Sequence, residues 1–432
     1  MENRIGRRTF IHATAGLAAA AATARRARAA GPNERVRLGF IACGGRAKQL
    51  MRIFKEFPDV DIVAISDVWR RRMDEAGGLL AQEGTRVHKP EKYDDYRGML
   101  ERPDLDAVVI ATTQHWHGLP HIHACQAGKH VYVEKPLAHT VAEGRAMVDW
   151  AKKTGVIAMM GTQQRGCPDF QKVAGIVRSG ELGQVPLVEC WNYHNTGGRT
   201  GNAPDEKAPE GLDWDRWLGP APFVPFNRSR MNNSWWFAYA GGMMTNWAIH
   251  LIDIVLWAMD AKHPTHVYHG GGKLVVQDAA DCPDTVEATW QFPGWTMHYI
   301  YRGFNNWHQV FPRPAHHGIC FHGNKATLVL DRGGYSIWPD GQAKPTVDTH
   351  HEELDGQWER TFVDCVKTGA PAPMDFEDSH RATVCCHLAN ISCKIGGRSF
   401  AWEGEKEQVV GNAEANAMLA LPRRKGYELP AV

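Results

Sequence analysis

Val36-Arg37-Leu38-Gly39-Phe40-Ile41-Ala42-Cys43-Gly44-Gly45-Arg46-Ala47 reads as a short apolar strand running into a glycine turn and then a helix over about 47–57. A strand that is apolar along nearly its whole length has no wet face, the mark of a parallel sheet covered on both sides. Small residues in the turn let a backbone approach a phosphate closely. The helix N-terminus adds N–H donors and positive potential. A G-x-G-x-x-G/A dinucleotide fingerprint occupies this position, with Ala42 here in the first glycine place. Taken alone, the same residues also suit an ordinary tight strand-to-helix turn.

Outward from this turn the strand-helix alternation continues. Residues 60–66, 107–111, 130–133 and 156–160 read as further apolar strands, with helices over about 120–127 and 140–154, the latter capped by Thr140. This predicts an α/β chain whose N-terminal domain, 35–160, is a doubly wound parallel sheet of Rossmann type. The pattern then changes. A strand over 186–193 precedes a Gly/Pro/Asn-rich stretch to about 233 and a helix-like segment over 241–259. Strands over 272–277, 285–292, 296–302, 318–322, 326–330 and 335–338 follow at short intervals, and a helix over 378–393 comes near the end. The second domain, 161–400, is therefore expected to be α/β with a large, mostly antiparallel open sheet, leaving 401–432 as a C-terminal tail.

Several loops at strand ends carry chemistry. Cys43, Gly44, Gly45 and Arg46 would line a pyrophosphate. Asp67 lies about 20 residues on from the turn, where an acid can accept hydrogen bonds from both adenosine ribose hydroxyls and so favours NAD. Arg70 and Arg71 would instead suit the 2′-phosphate of NADP. Thr112, Thr113, His115 and His117 follow the 107–111 strand, and Glu134-Lys135-Pro136 follows the 130–133 strand. Ligands of open α/β sheets bind outside these carboxyl ends. A lysine beside a cationic nicotinamide would have its pKa lowered by charge and desolvation, and could take a hydroxyl proton as a hydride leaves the same carbon. The plain alternatives are a turn aspartate, capping threonines and a surface lysine.

Together these segments resemble the Gfo/Idh/MocA oxidoreductases over essentially all of 35–400. The most specific pieces are Glu134-Lys135-Pro136 and Gly241-Gly242-Met243-Met244-Thr245-Asn246-Trp247-Ala248-Ile249-His250-Leu251-Ile252-Asp253, where the family commonly shows G-G followed by D-x-x-x-H-x-x-D. The resemblance implies that Lys135 and His250 are catalytic, with Asn246 standing at the family aspartate position. On a helix Asn246 and His250 share a face, with Asp253 one turn along. Asparagine orients a hydroxyl but is no base, so the acid–base load falls on His250 and Lys135. Gln163 is expected at the cofactor. Gln164, Arg165, Tyr193, Asn246 and Asp253 are expected at the substrate, with Trp191 and His194 near Tyr193. The resemblance also implies subunit contacts through the C-terminal sheet, hence a homo-oligomer.

Composition narrows the function. The 432 residues carry 49 Lys+Arg against 48 Asp+Glu. Six of those arginines and one glutamate fall in 1–29, so the remainder is slightly acidic and offers no basic field for nucleic acid. The leader itself, with Gly6-Arg7-Arg8-Thr9-Phe10-Ile11, an alanine-rich stretch and Ala27-Arg28-Ala29, resembles a twin-arginine export signal and predicts a periplasmic destination. No stretch is long and apolar enough to span a bilayer. Ten cysteines without a CxxC pair read as buried thiols, and Cys385-Cys386-His387 points its side chains in successive directions round a helix, so no metal is expected.

Free nicotinamide cofactor should be scarce outside the cytoplasm, so an exported enzyme would hold and recycle its own. The readings are a sugar or polyol oxidoreductase, then an NAD-dependent glycosidase working by transient oxidation, elimination and re-reduction, then a non-catalytic binding protein that kept the fold.

Overall fold

The computed structural model describes residues 35–82, 88–193, 195, 200–307, 315–349 and 356–432. The leader and His194 lie outside the described residues. Two sheets organise the chain. In the first, β1 (Val36–Ile41), β2 (Val60–Ser66), β3 (Glu91–Tyr93), β4 (Ala107–Ile110), β5 (His130–Val133) and β6 (Ala158–Met160) pair in parallel in the order β3-β2-β1-β4-β5-β6. The helices α1 (Gly45–Phe54), α2 (Arg70–Leu80), α3 (Tyr96–Leu100), α4 (Gly118–Gln126) and α5 (Val141–Thr154) connect them. Every residue of β4 and β5 is buried, as continuous apolar strands require. The order reverses direction at β1, so the crevice beyond β1 and β4 is the topological switch point where such sheets bind ligands.

Beyond β6 come α6 (Pro168–Ser179), β7 (Leu187–Tyr193), α7 (Trp214–Leu218) and α8 (Ile249–Ala258). The strands β8 (His266–Gly272), β9 (Thr285–Phe292), β10 (Trp295–Arg302), β11 (His317–His322), β12 (Ala326–Asp331), β13 (Gly334–Pro339) and β14 (Val347–Asp348) follow. After them come α9 (Gln357–Thr368), α10 (Phe376–Lys394), β15 (Phe400–Glu403), β16 (Gln408–Val409) and α11 (Ala413–Ala417). The second sheet has ten strands, ordered β14-β13-β12-β11-β7-β10-β9-β8-β15-β16, antiparallel except where β7 runs parallel to β10. Its strands alternate buried and open residues, as β9 does, so one face packs against the helices.

Several expectations shift. A short strand, β3, precedes the strand read as third. No ladder forms over 273–277: the Asp284 carboxylate accepts from the main-chain N–H groups of Leu274 (3.1 Å), Val275 (2.8 Å) and Val276 (2.6 Å) and folds that stretch into a loop. The segment over 241–259 is not one regular helix. A π-turn over Met244–Ala248 feeds α8, so Asn246 and His250 are not spaced as in ideal α-helix. The chain also returns to its first core late: Trp358, Phe362, Val363, Val366, Met374 and Phe376 pack into the cluster built on β1, β2, β4 and β5. The C-terminal tail, 401–432, carries structure of its own. It includes β16 and α11 and folds back on α5, where the Trp150 indole donates to the Pro430 carbonyl at 3.2 Å.

One buried ion pair fixes the exit of the first sheet to α8. Arg165, in the turn after β6, forks on to Asp253 with Nε–Oδ2 and Nη2–Oδ1 both 2.8 Å, the two side chains 5% and 1% exposed. A bidentate guanidinium–carboxylate contact meets the donors and acceptors that burial strips of water. Removing one partner strands a buried charge. Asp253→Asn is expected to cost about 3–5 kcal/mol and lower the melting temperature, whereas Arg165→Met with Asp253→Leu should recover most of that loss. Equal destabilisation in the single and double variants would contradict this role.

Candidate functional site

A cleft of about 580 Å³ opens along the carboxyl ends of β1, β2, β4 and β5. Its floor begins at the turn after β1. Ala42 takes φ +82°, the left-handed backbone that glycine adopts freely, so the residue in the first glycine place is strained by its methyl group. Gly45 opens α1 at the cleft, and a Cβ added there would meet nothing within 4 Å, which leaves open space for a ligand to approach the backbone. The Asp67 carboxylate crosses from the end of β2 and accepts from the Cys43 N–H (2.7 Å) and the Trp69 N–H (2.8 Å). Burial raises its pKa, against the pull of the nearby Arg72 guanidinium and those N–H bonds. Thr112 and Thr113 line the cleft beside His117, and the Thr112 hydroxyl is buried without a partner.

Arg46 and Glu134 both line the floor and are joined to each other by a bond from Arg46 Nε to Glu134 Oε1 of 2.6 Å. Behind them Tyr132 donates to Glu359 at 3.1 Å. This polar cluster supports the next residue, Lys135. Its Nζ donates to the Asn246 carbonyl at 2.7 Å and lies 3.3 Å from the Asn246 side-chain oxygen. The carbonyl belongs to the π-turn, a distortion often found at functional sites. The ammonium group is largely enclosed by protein but still opens on the cleft. Burial lowers its pKa to about 8, with Arg46 and Arg332 adding to the fall and Glu134 opposing it.

His250 is buried outside the cleft lining, with its Nδ1 unbonded and the Lys135 charge close enough to act on its ring. Burial first, then the charges of Lys135 and Arg332, push its pKa well below the ordinary histidine value, so the ring is neutral at pH 7. It can pass or accept a hydrogen bond, but it does not carry a stable proton. Trp247 packs against this ring at 5.7 Å and against His317 at 4.5 Å.

Other expected residues are placed differently. Cys43 is buried behind the turn and contributes its main chain. His115 faces away from the cleft. Its ring lies 5.1 Å from that of Tyr239, and its Nε2 reaches the Trp217 carbonyl at 3.2 Å, so it staples the two domains. His117 does line the cleft, though its two ring nitrogens are held between the carbonyls of Pro136 (2.8 Å) and Thr112 (3.2 Å). Gln163 sits after β6 outside the cleft lining, with a buried Oε1 lacking a partner. The Gln164 amide, oriented to satisfy both neighbours, donates to the His250 carbonyl (2.9 Å) and accepts from Arg332 Nε (3.2 Å). It therefore braces α8 instead of facing open space. Arg165 and Asp253 spend their polar groups on each other, away from the cleft. Tyr193 is buried under the Arg302 guanidinium, 3.7 Å from the ring centre.

The structure adds residues that sequence reasoning missed. Arg72, not Arg70 or Arg71, lines the cleft: Arg70 pairs with Asp94 and Arg71 with Glu75. Tyr96, Trp116 and Tyr427 form one wall, while Trp217, Met231, Asn233 and Ser234 roof the cleft from the second domain. Helical phase after Asp67 could have singled out Arg72. No local pattern announces the roof.

The family profile described as "Oxidoreductase family, NAD-binding Rossmann fold" of Gfo/Idh/MocA matches residues 36–162, and its "C-terminal alpha/beta domain" matches 172–291. Among curated relatives, a "Glycosyl hydrolase family 109 protein" of Shewanella pealeana is 32% identical over 215 residues, 44% of this chain and 46% of that protein. One of Shewanella woodyi is 34% identical over 163 residues, 37% and 34% of the two chains. The chain thus spans under half the length of these relatives.

Among solved structures, the WlbA dehydrogenase of Bordetella pertussis, in complex with NADH and UDP-GlcNAcA, superposes with TM-score 0.65 at 18% identity over 86% of this chain and 98% of its own. Levoglucosan dehydrogenase, in complex with NADH and levoglucosan, gives 0.64 at 18% identity over 85% and 99%. At such identities the likeness is one of fold. The open turn at Gly45, the acid at Asp67 and the unbonded Thr112 hydroxyl suit a dinucleotide in this NAD-binding domain.

The strained turn gives a direct test. Ala42→Gly relieves the left-handed penalty but adds chain entropy, so it is expected to stabilise by roughly 0.5–1 kcal/mol and raise the melting temperature slightly. A clear fall would mean that the methyl group is not strained there.

Proposed function

The chain belongs to the Gfo/Idh/MocA oxidoreductase family, and on that premise we propose that it oxidises a carbohydrate CH–OH group on a tightly held NAD, with Lys135 as the base. The observation that carries this reading is Lys135 itself: an amine with a pKa of about 8 at the edge of the dinucleotide cleft, aimed by the carbonyl of Asn246. NAD held over Gly44, Gly45 and Asp67 would supply a hydride acceptor for the carbinol carbon. Lys135 takes the hydroxyl proton as the C–H bond gives up its hydride, so the carbon becomes a carbonyl. The Asn246 amide holds the hydroxyl, a task that needs no charge. Neutral His250 accepts or donates a second hydrogen bond beside it. The acid–base load expected on both residues therefore rests mainly on Lys135.

A second reading shares this first step. The glycosyl hydrolase family 109 relatives favour net hydrolysis: the transient ketone acidifies the neighbouring C–H, the glycosidic group is eliminated, water adds, and the ketone is reduced again. Both readings suit a chain that recycles its cofactor, and export by the twin-arginine route is part of the proposal. So is pairing of copies through the open face of the ten-stranded sheet, where Tyr268 is exposed.

The test is a pH profile. Protonated Lys135 cannot act as base, so kcat/KM for sugar oxidation should rise about tenfold per pH unit up to the pKa of the amine, about 8 in the protein alone and lower beside a cationic nicotinamide, and level off above it. Lys135→Met should lose activity by a factor on the order of 10²–10⁴ and lose this limb of the profile. A flat profile, or an active Lys135→Met enzyme, sinks the assignment. Aryl glycosides separate the two readings: release of aglycone without net change at the nicotinamide absorbance marks hydrolysis, and accumulating reduced cofactor marks a dehydrogenase.

A further inference from the structure

We propose that residues 419–430 form a strap over the mouth of the dinucleotide cleft and that Tyr427 is a cofactor-contacting residue on its adenosine side. The inference rests on the NAD-binding reading of the cleft. Tyr427 lines that cleft although it lies in the last few residues of the sequence. Its ring meets the Trp116 ring edge-on at 5.5 Å, and Trp116 meets Tyr96 in the same way at 6.3 Å. The Arg70–Asp94 ion pair (3.1 Å) ties the loop before Tyr96 to the segment that follows Asp67. This aromatic row therefore stands at the end of the cleft marked by Asp67, the ribose acid, which is the adenosine end.

Contacts to both domains hold the strap in place. On the first domain, Arg423 Nη1 reaches the fully buried Glu143 at 3.0 Å, the Ala142 N–H donates to the Leu419 carbonyl at 3.0 Å, and Trp150 holds Pro430. On the second, Arg424 pairs with Asp215 at 2.9 Å and donates its N–H to the Pro220 carbonyl at 3.2 Å. Tyr427 lies between the Leu419–Arg424 anchors and Pro430, and its N–H is bonded back to the Arg424 carbonyl at 3.1 Å. The strap thus bridges the two sides of the cleft with an aromatic ring turned inward. An adenosine leaving by this end must displace that ring. This gives the chain a device for retaining its dinucleotide through many turnovers.

The experiment compares the full chain with Tyr427→Ala, Tyr427→Phe and a chain ending at Ala420. Each is loaded with NAD, desalted, and assayed over time for dinucleotide remaining in the denatured protein. Release from Tyr427→Ala is expected to be roughly tenfold faster, the worth of one aromatic contact, with Tyr427→Phe close to the parent and the shortened chain fastest. Tyr427→Ala keeps the Leu419, Arg423, Arg424 and Pro430 bonds, so it remains informative if the shortened chain does not fold. Trypsin cutting at Arg423, Arg424 and Lys425 should slow when NAD is added. Equal release from the full chain and Tyr427→Ala, or cutting indifferent to NAD, overturns the strap while leaving the cofactor reading intact. A full chain that neither keeps nor takes up NAD overturns both.

Discussion

The buried contact between Arg165 and Asp253 is the constraint on which the geometry of the site depends. Burying two charges is costly, and the cost is offset only when every polar atom finds its partner in the right direction. That demand tolerates little sliding. It pins the turn after β6 against one face of α8, and so fixes the axial position of the π-turn ahead of α8. Only at that position does the Asn246 carbonyl meet Lys135 Nζ. A pair expected to touch substrate thus acts one step back, by setting where the amine and the imidazole stand relative to each other.

A second level of support lies under the nucleotide turn. Arg46, Glu134, Tyr132 and Glu359 bring residues from α1, β5 and α9 into one polar cluster below the cleft. The cluster surrounds Lys135 with fixed charge of both signs. Burial, Arg46 and Arg332 lower its proton affinity, Glu134 raises it, and the balance is an amine that titrates near pH 8. His250, buried and facing the charges of Lys135 and Arg332, is driven neutral. The neutral Asn246 amide belongs to the same logic, since a carboxylate at that position would hold the Lys135 proton more tightly.

Much of this was legible in the sequence because it is local. A largely apolar strand, a small-residue turn and a helix lie within 36–54, and β4, β5 and β6 repeat the buried apolar strand. Glu134-Lys135-Pro136 and Asp67 stand at strand ends, where the topology places ligands whatever the details. Reading failed where the deciding contact was distant. Arg165 and Asp253 sit 88 residues apart, and His115 is claimed by Trp217, 102 residues away. Tyr427 carries no motif at all. The π-turn is a different case: residues 241–259 read as one helix because apolar periodicity does not register a single widened turn.

The late return of α9 to the first core bears on how such proteins can be exchanged in evolution. Trp358, Phe362 and Val366 cover the six-stranded sheet from a point some 200 residues beyond its last strand. A recombination junction placed after β6, at the apparent boundary of the nucleotide-binding unit, would transplant a sheet without its own cover. Chimaeras between relatives should therefore tolerate crossovers in pairs, one before β7 and one before α9, so that the sheet and its cover keep a common origin.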